Sequence, residues 1–286
     1  MSDMTRRIRP LFVISISILL SSTNAVAQQR PLLTEDVDII KPGVIRVESG
    51  FEFLQNQYFP LSGLRGDVTK LADTRMSFGL APNVEFQIEW TFQNFLSITS
   101  RTPPAIPLKL GVNESDTNDV GDARLWMKIK LRNESRRVPA MGFRFGVELP
   151  NSDQSRGIGT NTTNFFGAIL AQKQFGKLNV FGNIGLGILT APQEATSQND
   201  VLLYGLAGNY AVSERLNIVG EINGYHSTRK PPLGTEDFSE ARLGAQIRAL
   251  GVRWYAAGIF GPTKRGPKSG LALGITYDWD AFNPVK

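Results

Sequence analysis

The chain has 286 residues, of which 41% are hydrophobic and 20% charged, and it carries a formal net charge of +5. A helical membrane protein is excluded, because it needs several apolar runs of roughly 20 residues. Cysteine is absent, which excludes disulfides, thiolate chemistry and cysteine-ligated metals. Arg6, Arg7 and Arg9 outweigh Asp3 within residues 1–27, so removing this stretch lowers the net charge to +3. So small a positive surplus is only weak evidence for nucleic-acid binding.

Residues 1–27 have the three parts of a secretory signal peptide. A basic stretch precedes an apolar core over residues 11–20, and Ala25-Val26-Ala27 fits the cleavage motif. The core is too short to span a bilayer as an anchor. We therefore predict export, with cleavage after Ala27.

Beyond residue 43 the hydrophobic pattern has a period of two. Residues 84–92 alternate five apolar side chains with four polar ones without an error, which is the pattern of a strand with one apolar and one polar face. The same alternation predicts twelve strands in all. They are expected near residues 45–53, 67–78, 84–92, 121–131, 141–149, 160–172, 178–188, 200–211, 216–226, 242–249, 252–260 and 270–279.

The connections between these strands alternate in length. Short ones are expected near 79–83, 132–138, 174–177, 212–215 and 249–251. Longer ones, rich in Pro, Gly, Asn, Ser and Thr, are expected near 54–66, 97–119, 150–159, 190–199, 227–237 and 261–268. An up-and-down barrel of the outer membrane has this order, with short turns at the periplasmic rim and long loops outside.

The polar strand faces carry nearly equal numbers of acidic and basic side chains. A soluble twelve-stranded barrel would have to fill a wide interior, whereas about eight strands is the size that packs shut. With the charged faces inward, water and ion pairing solvate the charges, and lipid solvates the apolar faces. We therefore predict an all-β, antiparallel, up-and-down transmembrane β-barrel of about twelve strands over residues 43–286. The residues predicted to line its lumen are Arg46, Glu48, Glu52, Asp73, Arg75, Glu85, Glu89, Asp122, Arg124, Lys128, Arg144, Glu148, Glu221, Arg242 and Arg248.

The sequence contains no convincing catalytic or metal-binding cluster. The single histidine, His226, is followed by Ser227 and Thr228, and strand alternation leaves Thr228 as the only neighbour that could serve it as a nucleophile. A loop-edge histidine is the simpler interpretation. Residues 261–269 resemble a phosphate-binding loop but join two strands and contain Pro267 before Lys268. We predict no catalytic residues, no metal and no cofactor.

The start of the predicted mature chain carries a family resemblance. Arg30-Pro-Leu-Leu-Thr-Glu-Asp36, Pro42-Gly43 and the following strand resemble the phenol-degradation meta-pathway family of transporter-like outer-membrane barrels. Gly79-Leu-Ala-Pro-Asn-Val-Glu-Phe86, Gly121-Asp122 and Asn209-Tyr-Ala-Val-Ser-Glu-Arg-Leu216 extend the likeness over most of the mature chain. The resemblance implies an outer-membrane channel or uptake role, including for hydrophobic or aromatic compounds. It supplies no catalytic residues.

Two functions follow from these patterns, and a third rests on one residue. The first is passive transport of a small-molecule solute through the lumen, because the mixed-charge face contains no catalytic cluster. The second is a structural or adhesive barrel whose ion pairs close the lumen while its loops bind partners. A barrel hydrolase would depend on His226 alone. The expected partners are the outer-membrane lipid bilayer and a solute, with no nucleic acid. Residues 28–42 form either a periplasmic tail or a plug, and the oligomeric state stays open.

Overall fold

The computed structural model of the protein describes residues 30–194 and 196–283. It confirms the predicted fold class, because twelve antiparallel strands close a barrel and one further short strand pairs beside β3. The predicted signal peptide, residues 1–27, lies outside the described residues. The strands are β1 (Val44–Phe59), β2 (Leu64–Ala81), β3 (Val84–Arg101), β4 (Asp116–Asp119), β5 (Ala123–Arg132), β6 (Ala140–Leu149), β7 (Asn164–Phe175), β8 (Leu178–Thr190), β9 (Gln198–Ala211), β10 (Leu216–Ser227), β11 (Phe238–Ala249), β12 (Val252–Phe260) and β13 (Ser269–Asp280).

The barrel closes between its first and last strands. β1 pairs with β13, from Val44 opposite Asp280 to Gln55 opposite Ser269, and with β2 on its other side. β4 and β5 both pair with β3, β4 towards its C-terminal end and β5 towards its N-terminal end. Each barrel strand therefore has a hydrogen-bonding neighbour on both sides, which removes the open edges that an unclosed sheet would expose.

Alternation along the strands separates an apolar outer surface from a charged interior. Leu186 and Ile184 on β8 point outward and are 67% and 58% exposed. Arg75 on β2 and Lys128 on β5 point inward and are buried. A continuous outer belt of Phe, Leu and Ile is unfavourable in water and is stable against hydrocarbon. Among the described residues, no helix is long and apolar enough to cross a membrane.

Several strands continue further into the long-loop end than the sequence pattern predicts. The prediction of a long loop at 54–66 is wrong, because β1 and β2 continue through most of this range and leave only a turn over residues 60–63. Likewise β3 continues to Arg101, and β4 occupies part of the loop expected at 97–119.

One strand begins later than predicted. β7 begins at Asn164, so the first residues of the strand expected at 160–172 belong to a loop.

Two β-bulges explain why the sequence pattern fades in β1 and β2. Asn56 and Ala72 have positive φ angles of 56° and 50°, and the register between the two strands shifts beside them. An extra residue in one strand reverses the sequence parity of the side chains that face inward. Lys70 and Asp73 therefore both face the lumen, although they stand three positions apart.

The long-loop end is covered by an apolar cluster and by loops that hydrogen-bond to one another. The cluster comprises Leu54, Leu64, Val68, Leu96, Tyr255, Ile259 and Ala272, with Phe59, Ile98, Leu108, Leu110 and Ile158 packed against it. Ser62 Oγ donates to the Gly157 carbonyl at 2.7 Å, and Lys109 Nζ lies 3.2 Å from Asp153 Oδ2. Donors from the Ser155 hydroxyl and backbone hold the pKa of the Asp153 carboxyl below its usual value. These contacts restrict access to the lumen from this end.

Candidate functional site

Residues 30–42, the plug segment, pass through the lumen before β1 begins. Several of their backbone N–H groups donate to side chains of the barrel wall. Leu33 N and Thr34 N donate to the Glu221 carboxylate at 2.8 and 2.7 Å. Further donations run from Glu35 N to Asn183 Oδ1, from Val37 N to Gln172 Oε1 and from Ile40 N to Glu85 Oε2, at 2.7 to 2.9 Å. The wall thus supplies the acceptors that a buried extended chain needs.

The Glu35 carboxylate of the plug segment is the shared anion of three wall cations. It lies 2.9 Å from Lys128 Nζ, 3.4 Å from Arg75 and 3.8 Å from Arg144. All four side chains are buried. A buried cation is expensive unless an anion and hydrogen bonds compensate it. The interior surface formed by β2, β5 and β6 therefore depends on the plug segment for part of its charge balance.

The N-terminal end of the plug segment is bound by charged groups of the wall. The Arg30 guanidinium pairs with Asp73, and Arg30 N donates to Glu48 Oε1 at 2.6 Å. Arg242 donates to the Pro31 carbonyl at 3.0 Å and also pairs with Glu52 at 2.7 Å. Arg30 thus lies among wall acids, whereas Glu35, Asp36 and Asp38 pair with wall cations.

Apolar contacts on both sides of Glu35 also fix the plug segment. Leu32 packs with Phe181, Ala207 and Val219, and a second cluster joins Val37 to Ala140 and Leu170. The plug segment passes close to the wall at Gly205, where an added Cβ would lie 2.7 Å from Thr34 Oγ1. While Thr34 occupies this place, a side chain at position 205 would require the Thr34 side chain to shift.

Between the plug segment and the long loops lies a cavity of about 290 Å³, the loop-side cavity. Leu33 and Thr34 of the plug segment belong to its lining. Engineered cavities of about 150 Å³ hold one benzene ring, so this space accommodates a solute with one aromatic ring and a substituent. Its inward-facing aromatic lining residues are Trp126, Phe166, Tyr225 and Phe238, and its charged lining residues are Arg75, Glu89, Arg124, Arg144, Glu148 and Arg265.

The aromatic rings of the cavity form two pairs. The ring centroids of Trp126 and Phe166 are 5.4 Å apart, and those of Tyr225 and Phe238 are 6.0 Å apart. The Arg144 guanidinium lies over the Trp126 ring at 3.9 Å, a cation–π geometry. Trp126 Nε1 donates to Glu89 Oε2 at 3.1 Å. This lining combines apolar faces with oriented polar groups, as small-molecule sites do.

The structure places the fifteen residues predicted to line the lumen in three environments. Asp73, Glu89 and Asp122 are partly buried, and Arg124 and Arg248 are exposed. Asp122 lies between β4 and β5 rather than on a strand, and it accepts hydrogen bonds from Asn151 N and Ser152 N. The other ten are buried, namely Arg46, Glu48, Glu52, Arg75, Glu85, Lys128, Arg144, Glu148, Glu221 and Arg242.

Only some of those residues meet at the loop-side cavity. Arg75, Glu89, Arg124, Arg144 and Glu148 belong to its lining. Within this group the charges are paired: Arg75 with Glu89 at 2.7 Å, Arg144 with Glu89 at 3.0 Å, and Arg124 with Glu148 at 2.5 Å.

Sequence reasoning missed the inward aromatic residues. Trp126 shares the inward parity of Arg124 and Lys128, so the alternation of β5 contained the signal. Tyr225 on β10 also lines the cavity, and its hydroxyl accepts a hydrogen bond from Arg265 Nη1 at 2.8 Å. Arg265 lies in the loop after β12. Loop residues do not alternate between two faces, so the hydrophobic pattern gives no indication of where its side chain points.

His226 lies at the end of β10 and pairs with Asp237, with 2.6 Å between Nδ1 and Oδ2. Ser227 points to the other face, where its hydroxyl donates to Asn199 Oδ1 at 2.8 Å. No hydroxyl group of the described residues hydrogen-bonds to the imidazole. The arrangement is therefore a loop-edge hydrogen bond rather than an assembled triad.

Comparison with known proteins gives structural relatives only. No protein-family model matches the chain, and no curated protein does, so the resemblance to the phenol-degradation family stays a prediction. A solved outer membrane channel from Pseudomonas putida F1 is 14% identical over 85% of this chain and 98% of the channel, with a TM-score of 0.58. The NanC porin is 9% identical over 84% of this chain and 99% of that chain, with a TM-score of 0.49. The similarity to the channel shows that the fold is an outer-membrane β-barrel fold.

Proposed function

We propose that this protein is an outer-membrane channel that takes up small solutes, hydrophobic and aromatic ones included, by passive diffusion and without catalysis. The loop-side cavity carries the proposal, because it combines room for a ring with two aromatic pairs inside a polar lumen. The outer apolar belt supports a location in the bilayer. A solute entering between the long loops reaches Leu33 and Thr34, which lie in its path.

Passage then requires the plug segment to move. It is a short extended chain held by ion pairs and hydrogen bonds, and no element of regular structure lies between residues 32 and 43. Water that enters with a solute competes for those polar contacts. The plug segment therefore acts as the gate of the channel.

The test is solute entry into liposomes that contain the purified full-length protein. Phenyl glucoside and glucose are compared by osmotic swelling, because both are neutral and cross a bare bilayer slowly. We expect phenyl glucoside to enter at least as fast as glucose, although it is the larger molecule. Entry of glucose without phenyl glucoside would refute the uptake of aromatic solutes, and entry of neither solute would refute transport.

The buried ion pairs around Glu35 also favour the rival function, a closed barrel whose loops bind partners. Liposomes impermeable to both solutes, together with binding of the protein to cells that is lost on shortening the loop at 102–115, would establish that function instead.

A further inference from the structure

One arginine of the loop-side cavity differs from the others. Arg75, Arg124 and Arg144 each have a carboxylate within 4.0 Å. Among the described residues, Arg265 has none. Its Nη1 donates to the Tyr225 hydroxyl at 2.8 Å and to the Glu236 carbonyl at 3.5 Å, both of which are neutral acceptors. The remaining guanidinium nitrogens donate to no described residue.

Arg265 is also placed to meet a solute. It lies in the loop between β12 and β13 and is only partly exposed, and it reaches the cavity beside the Tyr225–Phe238 pair. A guanidinium presents a planar fork of donors that matches a carboxylate. An aromatic pair next to such a fork provides a surface on which a ring can lie.

The balance of charge in the cavity favours an anion. Four arginines and two glutamates belong to its lining, and both glutamates are already paired with arginines. A bound carboxylate would therefore find an unpaired cation rather than displace an existing partner. A neutral ring would leave Arg265 without a counter-ion.

From these observations we infer that the loop-side cavity is a binding site for small aromatic carboxylates, with Arg265 as the residue that recognises the carboxylate. The ring lies against Tyr225 and Phe238. This inference rests on the proposed function and narrows its substrate class from aromatic solutes in general to aromatic acids. No bond is made or broken.

The experiment measures binding to the full-length protein in detergent by calorimetry, with benzoate and the neutral benzyl alcohol as probes. We expect wild-type protein to bind benzoate more tightly than benzyl alcohol. Arg265→Gln should weaken benzoate binding about tenfold or more, because a charge-assisted hydrogen bond is lost, and should leave benzyl alcohol binding unchanged. Arg265→Lys, which keeps the charge, should retain most of the preference.

Lys264→Gln is the matched control, because it removes a positive charge from the same loop at an exposed residue outside the cavity lining. It should change neither affinity. An unaltered preference for benzoate in folded Arg265→Gln, or an equal loss in Lys264→Gln, would overturn the inference. The liposome experiment is independent of both results. If phenyl glucoside enters liposomes while Arg265 has no role in benzoate binding, the further inference fails and the proposed function is retained.

Discussion

Replacing Glu35 with glutamine should displace the plug segment. The substitution keeps the size of the side chain and removes the anion that Lys128, Arg75 and Arg144 share. Loss of one partner from a buried ion pair costs about 3–5 kcal/mol. We take the lower limit, about 3 kcal/mol, because Arg75 and Arg144 keep Glu89 as a partner. At about 1.4 kcal/mol for each factor of ten, the ratio of displaced to seated plug segment rises roughly a hundredfold.

Single-channel recording in planar bilayers measures this ratio as the fraction of time that the channel conducts. Glu214→Gln provides the matched control, because Glu214 is exposed in the turn over residues 212–215 and is not bonded to the plug segment. We expect Glu35→Gln to conduct for a much larger fraction of time and Glu214→Gln to match the wild type. Folding is checked by the shift in gel mobility on heating. A folded Glu35→Gln protein with wild-type openings would refute the gating role of the plug segment.

Two further predictions concern the gate and the outer surface. Thr34→Cys with Gly205→Cys should form a disulfide, because a Cβ built at Gly205 lies 3.3 Å from Thr34 Cβ, near the usual range of about 3.5–4.5 Å. Oxidation should suppress the extra openings of Glu35→Gln and reductant should restore them; openings that persist in the cross-linked protein would contradict gating. Ile184→Arg, on the apolar belt at the middle of β8, should destabilise the barrel in lipid vesicles by about 2–4 kcal/mol in urea titrations. Val112→Arg, in an exposed loop, should stay within about 0.5 kcal/mol of wild type, and equal effects would argue against a lipid-facing belt.

The barrel could be predicted from sequence because its strands bury alternate residues. The error-free alternation of residues 84–92 lies within β3, and the pattern of residues 270–279 lies within β13. The β-bulge at Ala72 could not be predicted, because a positive φ at a single alanine leaves no mark on the hydrophobic pattern. The prediction of a loop at 54–66 failed for a related reason. Strands beyond the apolar belt contact loops and water, so their residues do not alternate.

The candidate site was less predictable, because distant contacts build it. Glu35 meets Lys128 across more than ninety positions of the chain, and nothing in the local sequence of residues 30–42 selects that partner. Arg265 reaches the cavity only because of the path of the loop between β12 and β13, which local sequence does not determine. Periodicity reports only which face a strand residue occupies, so it identified charged wall residues such as Arg75 and missed the groups that enter the lumen from outside the strands.

The pairing of β1 with β13 has a consequence for the order of folding. Val44 cannot meet Asp280 until the whole chain has been synthesised, and contacts between such distant residues form slowly. Until then both terminal strands carry unpaired backbone groups that invite aggregation. The plug segment binds side chains of strands from β1 to β11, including Glu48 and Arg242. Its complete binding site therefore forms only once the wall is nearly complete, which makes closure of the barrel and occlusion of its lumen late events of the same folding reaction.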